Sequence, residues 1–298
     1  KHGLRPCLYA AAQDAGVEVK TGHTITKTRL TGTDRKIGFA NGTWSEPFGL
    51  VVDALGQRSV LRPKRASTLS YGALWASLDW PTSGFSDLAG EQRYHRASKM
   101  IGIVPIGTTE ISSTPKTAFF WSLKGCDLAA WRTSKLETWK EEVRALWPET
   151  DVLLSQINSH DDLTFAQYRH STLANPCASA LVHIGDSYHA TSPQLGQGAN
   201  MALLDAYALA QGLENNIALE SAFDHFLWAR AAHVRLFQAM SWMFTPVYQS
   251  DSSTLPFLRD HVVAPVAKVP PVPRLLAKLV TGLLGNPLGR LGLVPVGA

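Results

Sequence analysis

The residue types best suited to binding a ligand are concentrated between Gly185 and Asn200. An apolar strand pattern ends there in Gly185-Asp186, and a loop containing Gly196 and Gly198 leads into a helical pattern. Open α/β sheets bind ligands at such strand ends, and glycines let a ligand approach the backbone closely. The free N–H groups of a helix start also favour a negatively charged oxygen. The pattern indicates a ligand site; the alternative is a plain strand, turn and helix with Asp186 as a cap.

The spacing of apolar residues predicts the elements that position this run. The stretch 71–168 differs from its flanks in its residue pattern. It is predicted to form a separate sheet with one or two helices on it. Apolar spacings of three and four predict helices over 4–12, 136–147, 199–213 and 222–243. Short apolar or alternating runs predict strands at 17–19, 25–30, 37–40, 50–52, 71–80, 100–106, 118–123 and 180–184.

Composition excludes several classes of protein. The 298 residues are 45% apolar and 17% charged, with nine Trp and eleven Phe, which argues for a globular chain of about two domains. The net charge is +4, and the five cations and one carboxylate after Leu255 account for all of it. No aromatic follows Phe257, so a nucleic-acid partner is not expected. Three scattered cysteines favour a reducing, cytoplasmic location.

The run from Gly185 closely resembles the second FAD-binding motif of flavoprotein monooxygenases related to para-hydroxybenzoate hydroxylase, G-D-A-A-H-x-x-x-P-x-x-G-Q-G-x-N. The resemblance implies that Asp186 contacts ribityl or ribose hydroxyls and that Pro193 lies near the isoalloxazine. It also implies that the loop backbone faces the pyrimidine edge of the flavin. The matching residues are Gly185, Asp186, His189, Pro193, Gly196, Gln197, Gly198 and Asn200, and Asp205 fits the following helix. The expected cofactor-binding residues are Asp186, Pro193, Gly196, Gln197, Gly198, Ala199 and Asn200.

A second segment, 52–62, resembles the internal motif G-A-D-G-x-x-S-x-V-R of the same family. Gly56, Ser59 and Arg62 match, while the family aspartate falls at Leu55. Asp53 fits the variant D-A-x-G-x-x-S of prenyl reductases and halogenases. No strand–GxGxxG–helix unit precedes the first helix, so an N-terminally incomplete member of the family is expected.

The resemblance implies an α/β fold: a Rossmann-like, three-layer FAD-binding domain with an inserted, mainly antiparallel sheet that roofs the substrate pocket. The implied function is that of a class A flavoprotein monooxygenase, which uses FAD, NAD(P)H and O₂ to place one oxygen atom on a small organic or apolar substrate. A flavin halogenase or prenyl reductase is the alternative, and a remnant unable to hold FAD is the alternative of another class. The expected domains are 1–68 with 173–213 for FAD, 69–172 for substrate, and 214–298 for C-terminal helices and a basic tail.

Most other residues that could suggest a catalytic or metal-binding role are interpreted as structural. No protein residue is expected to be catalytic, because the flavin performs the chemistry, and His189 is expected to be packed and hydrogen-bonded. No metal site is expected, and Cys126 and Cys177 are predicted to be buried. The family resemblance implies that one or two of three aromatic residues line the substrate pocket, namely Trp75, Tyr94 and Trp121.

The tail contains an apolar segment, 274–284, with two cations. It is too short to cross a bilayer. One interpretation is a helix packed on the body or across a homodimer contact; the other is a peripheral, interfacial helix that contacts an anionic membrane surface.

Overall fold

A computed structural model describes residues 4–62, 67–81, 84–108 and 114–294. The chain divides into two compact units, the first formed by 1–21, 69–168 and 246–257, and the second by 22–68, 169–245 and 258–298. The strands are β1 Ile25–Thr31, β2 Asp34–Phe39, β3 Val51–Asp53, β4 Ser67–Asp79, β5 Glu91–His95, β6 Lys99–Gly107, β7 Lys116–Lys124, β8 Thr164–Thr172, β9 Cys177–Ala178 and β10 Leu181–His183. The helices are α1 Leu4–Asp14, α2 Leu128–Thr133, α3 Leu136–Leu146, α4 Asp151–Leu154, α5 Asp186–His189, α6 Gly198–Asn215, α7 Leu219–Tyr248, α8 Thr254–Leu258, α9 Ala264–Val266, α10 Val272–Val280 and α11 Pro287–Arg290.

The first unit is built on a sheet with the strand order β5-β6-β7-β4-β8. Strands β4, β6 and β7 pair antiparallel, so successive side chains of β7 alternate between the two faces. The aromatic side chain of α3, Trp139, packs on one of these faces, where it meets both Phe119 and Trp121 edge-on. Helix α3 ends at Leu146 because Trp147 precedes a proline and takes an extended backbone.

The second unit holds a three-stranded sheet of order β3-β10-β9. Strands β3 and β10 are parallel, and His183 pairs with Asp53 at their carboxyl ends. Two segments far apart in sequence, 54–62 and 184–200, therefore leave the sheet at the same edge. Helices α6 and α7 cover the sheet, and their buried side chains, among them Leu204 and Phe226, form one core with Val182 of β10.

The mixed α/β fold and the longer elements are confirmed, and the domain bounds stay a prediction. No strand forms at 17–19, and β5 and β8 were not predicted because their polar side chains hide the alternation. The prediction that Cys126 is buried is wrong, since its side chain is exposed in a turn before α2, whereas Cys177 is half-buried. Among the described residues, no helix is long and apolar enough to span a membrane.

Candidate functional site

The carboxyl end of β3 is fixed by a buried aspartate. Asp53 accepts hydrogen bonds from the backbone N–H of Leu55 at 2.9 Å and from the Ser59 hydroxyl at 2.5 Å, and His183 Nδ1 lies 2.7 Å from its Oδ2. Burial by itself raises the pKa of Asp53, but the hydrogen bonds from His183, Ser59 and Leu55 outweigh it and bring the pKa to about 2. The carboxylate is therefore charged and holds the 54–62 turn against β10.

This cluster resembles a catalytic triad in composition but not in geometry. Ser187 Oγ lies 2.9 Å from His183 Nδ1, the same ring nitrogen that contacts Asp53. A proton relay needs the serine and the aspartate on different ring nitrogens. The group therefore serves to position the two strand ends.

Arg62 connects the two segments that carry the family motifs. Its buried guanidinium donates from Nη2 to the Ser171 hydroxyl and from Nη1 to the backbone oxygen of Asp186, the latter at 3.4 Å. Its Nε is also buried and has no hydrogen-bond partner among the described residues. A cation thus lies beside Asp186, with one donor still available.

The Gly185-Asp186 step places a carboxylate at the end of β10. Gly185 has φ +58°, and a Cβ there would lie 3.0 Å from the Ala202 side chain, so the position requires glycine. Asp186 begins α5, and its side chain is exposed. Desolvation by the surrounding protein nevertheless raises the pKa of Asp186, while His189 and Arg62 act in the opposite direction.

The loop after α5 leads into the N-terminus of α6 through two glycines with open space beside them. Gly196 has φ +63°, and Gly198 is the first residue of α6. A Cβ at either glycine would meet no atom within 4 Å. The first helical hydrogen bond runs from the Met201 N–H to the Gln197 oxygen at 2.9 Å. The N–H groups of the three preceding residues therefore point out of the helix start beside that space.

The side chains of this loop are held by the tail. The Gln197 amide donates to the backbone oxygen of Val280 and accepts from Asn200 Nδ2 at 2.8 Å. Gly282, with φ +76°, passes so close that a Cβ would overlap both amides. The loop thus offers its backbone, rather than these two side chains, to a ligand.

A buried charged network lies behind the loop. Asp205 of α6 accepts from the Gly185 N–H at 2.9 Å and from Arg230 Nε at 2.8 Å, and its Oδ2 lies 2.6 Å from His189 Nε2. Burial raises the pKa of Asp205, but His189 and Arg230 more than offset this, so the pKa is lowered. His189 is buried in this network, which confirms its expected packed and hydrogen-bonded role.

The network continues from α7 to the tail. Arg230 donates from Nη1 to His233 Nδ1 at 2.7 Å, and His233 Nε2 donates to the Gly282 oxygen at 3.1 Å. Burial first, and then the neighbouring Arg230, lowers the pKa of His233 to about 4, so the imidazole is neutral at neutral pH. The sequence analysis did not identify Arg230 and His233. The pattern that could have indicated them is a cation and a histidine three positions apart on an otherwise apolar helix face.

The three aromatic residues predicted to line a substrate pocket do not share one face. Trp75 stacks on Phe120 with ring centroids 5.0 Å apart, and Tyr94 packs in the same apolar cluster. Trp121 lies on the opposite face, buried beside Trp139. The structure therefore brings Trp75 and Tyr94 together and places Trp121 apart from them. No cluster of His, Cys, Asp or Glu suited to a metal ion occurs in the described part of the chain.

Comparison with known families shows which family the chain belongs to. The family described as "FAD binding domain" matches residues 75–234, which is more than half of the chain and includes the Gly185–Asn200 run. The chain belongs to this FAD-binding family.

Two curated relatives match parts of this FAD-binding chain. The "Putative FAD-dependent monooxygenase YetM" of Bacillus subtilis is 24% identical over 247 residues, covering 80% of this chain and 64% of the relative. The 2-heptyl-3-hydroxy-4(1H)-quinolone synthase of Pseudomonas aeruginosa is 36% identical over 90 residues, covering 30% of this chain and 23% of the relative. The chain thus spans less than two thirds of the length of these relatives.

A solved structure shares the fold. Klebsiella pneumoniae HpxO complexed with FAD and uric acid superposes with a TM-score of 0.69 at 15% identity, covering 94% of this chain and 71% of HpxO. At this identity the similarity concerns the fold alone.

The residues of the site fit a flavin. The open space beside Gly196 and Gly198 allows a planar ring to approach the backbone, where any side chain would intrude. The N-terminus of an α6 helix of 18 residues favours negative charge at that place. Asp186 supplies an exposed acceptor for hydroxyl groups, and the unpartnered Arg62 Nε supplies a buried donor beside it.

Proposed function

We propose that this protein is a class A, FAD-dependent monooxygenase that uses NAD(P)H and O₂ to hydroxylate or epoxidise a small organic or apolar substrate. The observation that carries the proposal is the pair of glycines at the start of α6, which leave open space beside the helix N-terminus in a chain of the FAD-binding family. The name of the Bacillus subtilis relative, a putative FAD-dependent monooxygenase, supports the same reaction class.

The proposed cofactor site lies entirely in the second unit. The carboxylate of Asp186 accepts hydrogen bonds from the sugar or ribityl hydroxyls of FAD, and Pro193 shapes the edge of the ring site. The N–H groups at the start of α6 stabilise the negative charge that a reduced flavin carries on its pyrimidine edge. The full proposed set is Asp186, Pro193, Gly196, Gln197, Gly198, Ala199 and Asn200.

Bound FAD supplies the redox and oxygen chemistry, and the protein supplies orientation and a dry pocket. Gln197 and Asn200 contribute through their backbone, because the Gln197 side chain is bonded to the tail and the Asn200 side chain to Gln197. On the sheet of the first unit we assign Trp75 and Tyr94 to the substrate side, since they share one face. We also propose that the FAD-binding domain has the three-layer arrangement.

One experiment separates the proposed reaction from its alternatives. The full-length protein is loaded with FAD and supplied with NAD(P)H, labelled O₂ and a panel of small aromatic and alkene compounds. A monooxygenase consumes O₂ and places labelled oxygen in a product. NAD(P)H oxidation without O₂ uptake would indicate a reductase, and a halide-dependent product would indicate a halogenase. Failure to retain FAD would remove the enzymatic interpretation.

A further inference from the structure

The helical segment that follows α8 presents apolar side chains to solvent. From 258 to 271 no residue is buried. Five apolar side chains in this segment are each between 48% and 57% exposed, namely Leu258, Val262, Val263, Val266 and Val269. Aliphatic side chains so grouped are unusual on the surface of a monomer and indicate an interaction site.

These side chains form a row along one side of the segment. Helix α8, a π turn at Arg259–Val263 and α9 follow one another without a break. Leu258, Val262 and Val266 are separated by four positions each, the spacing that places residues on one helix face, and Val269 follows in the turn after α9. The row therefore forms a continuous stripe, which we call the tail stripe.

Along the sequence, every charged side chain after Asp260 is a cation. Arg259 pairs with Asp260 at 2.7 Å, and no carboxylate follows Asp260 in the sequence. Lys268, Arg274 and Lys278 are exposed and take part in none of the ion pairs that the described residues form.

Helix α10 anchors this region to the second unit. Leu279 is buried in the core shared by α6 and α7, so this part of the segment 274–284 is packed on the body. Arg274 and Lys278, four positions apart, lie on the exposed face of α10. Packing of α10 and exposure of its cations are therefore compatible.

The chemistry of the tail stripe favours lipid over a protein partner. The cores of protein interfaces are depleted in lysine, whereas this tail has exposed cations and no carboxylate after Asp260. Aliphatic side chains together with uncompensated Lys and Arg are the composition of helices that lie in the plane of an anionic membrane surface.

We propose that the tail stripe, with Lys268, Arg274 and Lys278, docks on the surface of an anionic lipid bilayer without crossing it. The aliphatic row enters the headgroup boundary, and the cations meet the lipid phosphates and carboxylates. Each cation contributes about a fivefold gain in partition, so removing all three weakens it about a hundredfold. This proposal is independent of the proposed function, since it involves no residue of the FAD site.

Vesicle flotation of the full-length protein tests the proposal. At low salt the protein should float with phosphatidylcholine vesicles that contain phosphatidylserine, but not with phosphatidylcholine alone. In a V262D/V266D variant the fraction of protein bound to these vesicles should fall at least tenfold. The matched control is L88D/I217D, which adds the same two charges at fully exposed apolar positions that are not part of the tail segment and should bind like the unaltered protein.

Three results would overturn the proposal. The first is that the unaltered protein stays with the unbound fraction on anionic vesicles at low salt. The second is equal loss of binding in the tail and control variants. The third is a concentration-dependent dimer, seen by light scattering, that V262D/V266D abolishes while flotation is unchanged, because the stripe would then bind a second copy of the chain.

Discussion

The contact between Gly282 and the flavin loop gives the sharpest mutational prediction. In Gly282→Ala the new Cβ would overlap the amides of Gln197 and Asn200. The ends of these two side chains must rotate away, and the hydrogen bonds from Gln197 to Val280 and from Asn200 to Gln197 are lost. At about 1 kcal/mol per hydrogen bond, the ordered loop is destabilised by about 2 kcal/mol, and FAD affinity should fall roughly thirtyfold.

The backbone strain of the substitution needs its own control. An alanine in the left-handed region costs about 1–2 kcal/mol wherever it occurs. Gly292 has φ +65° and no atom within 4 Å of its Cβ position, so Gly292→Ala carries the same strain without the overlap. Strain should lower the thermal stability of both variants, and Gly282→Ala should lose more because of its two broken hydrogen bonds, but only Gly282→Ala should lose FAD affinity in a flavin fluorescence titration. Equal FAD affinities in the two variants would refute the reasoning.

Three further predictions concern charges of the second unit. Asp186→Ala should weaken FAD binding tenfold or more, because a charge-assisted hydrogen bond contributes about 1.5–3 kcal/mol, and unchanged affinity in an equilibrium titration would contradict the assignment. Asp205→Ala should lower the free energy of unfolding in urea by about 3–5 kcal/mol, since it leaves the buried Arg230 without its carboxylate; a loss below about 1 kcal/mol would argue against the network. The pKa of His233 is about 4 in the folded protein against an ordinary value of 6.5, so the unfolded chain binds the extra proton first and stability falls as the pH drops from about 6.5 towards 4. His233→Gln should flatten this part of the stability–pH curve, and an unchanged curve would show that His233 is not its source.

The local geometry of the site could be predicted from the sequence because it depends on consecutive residues. The Gly185–Asn200 run forms a strand end, a glycine loop and a helix start wherever β10 and α6 form, and the apolar spacing of 180–184 and 199–213 predicts both. Positive φ at Gly185 and Gly196 is a property that glycine supplies locally.

The contacts that hold the site could not be predicted, because they join residues far apart in the chain. Asp53 meets His183 only through the parallel pairing of β3 with β10, and no periodicity specifies which strands pair. The Asp205–Arg230–His233 network likewise depends on how α6 and α7 pack and on where the tail returns. In the first unit, the register of β4 against β7 places Trp75 and Trp121 on different faces of the sheet. Trp75 pairs with Phe120, whereas Trp121 pairs with Leu74.

Flavin binding by the full-length protein and two valine variants tests the central claim most directly. Gly198 and Gly49 both have open space at the Cβ position and neither needs a positive φ, but only Gly198 lies at the proposed flavin site. The account predicts that the unaltered protein and Gly49→Val bind FAD with equal affinity, measured by flavin absorbance and fluorescence, and that Gly198→Val binds none. Binding of FAD by Gly198→Val with the affinity of the unaltered protein, or no binding by any of the three, would contradict it.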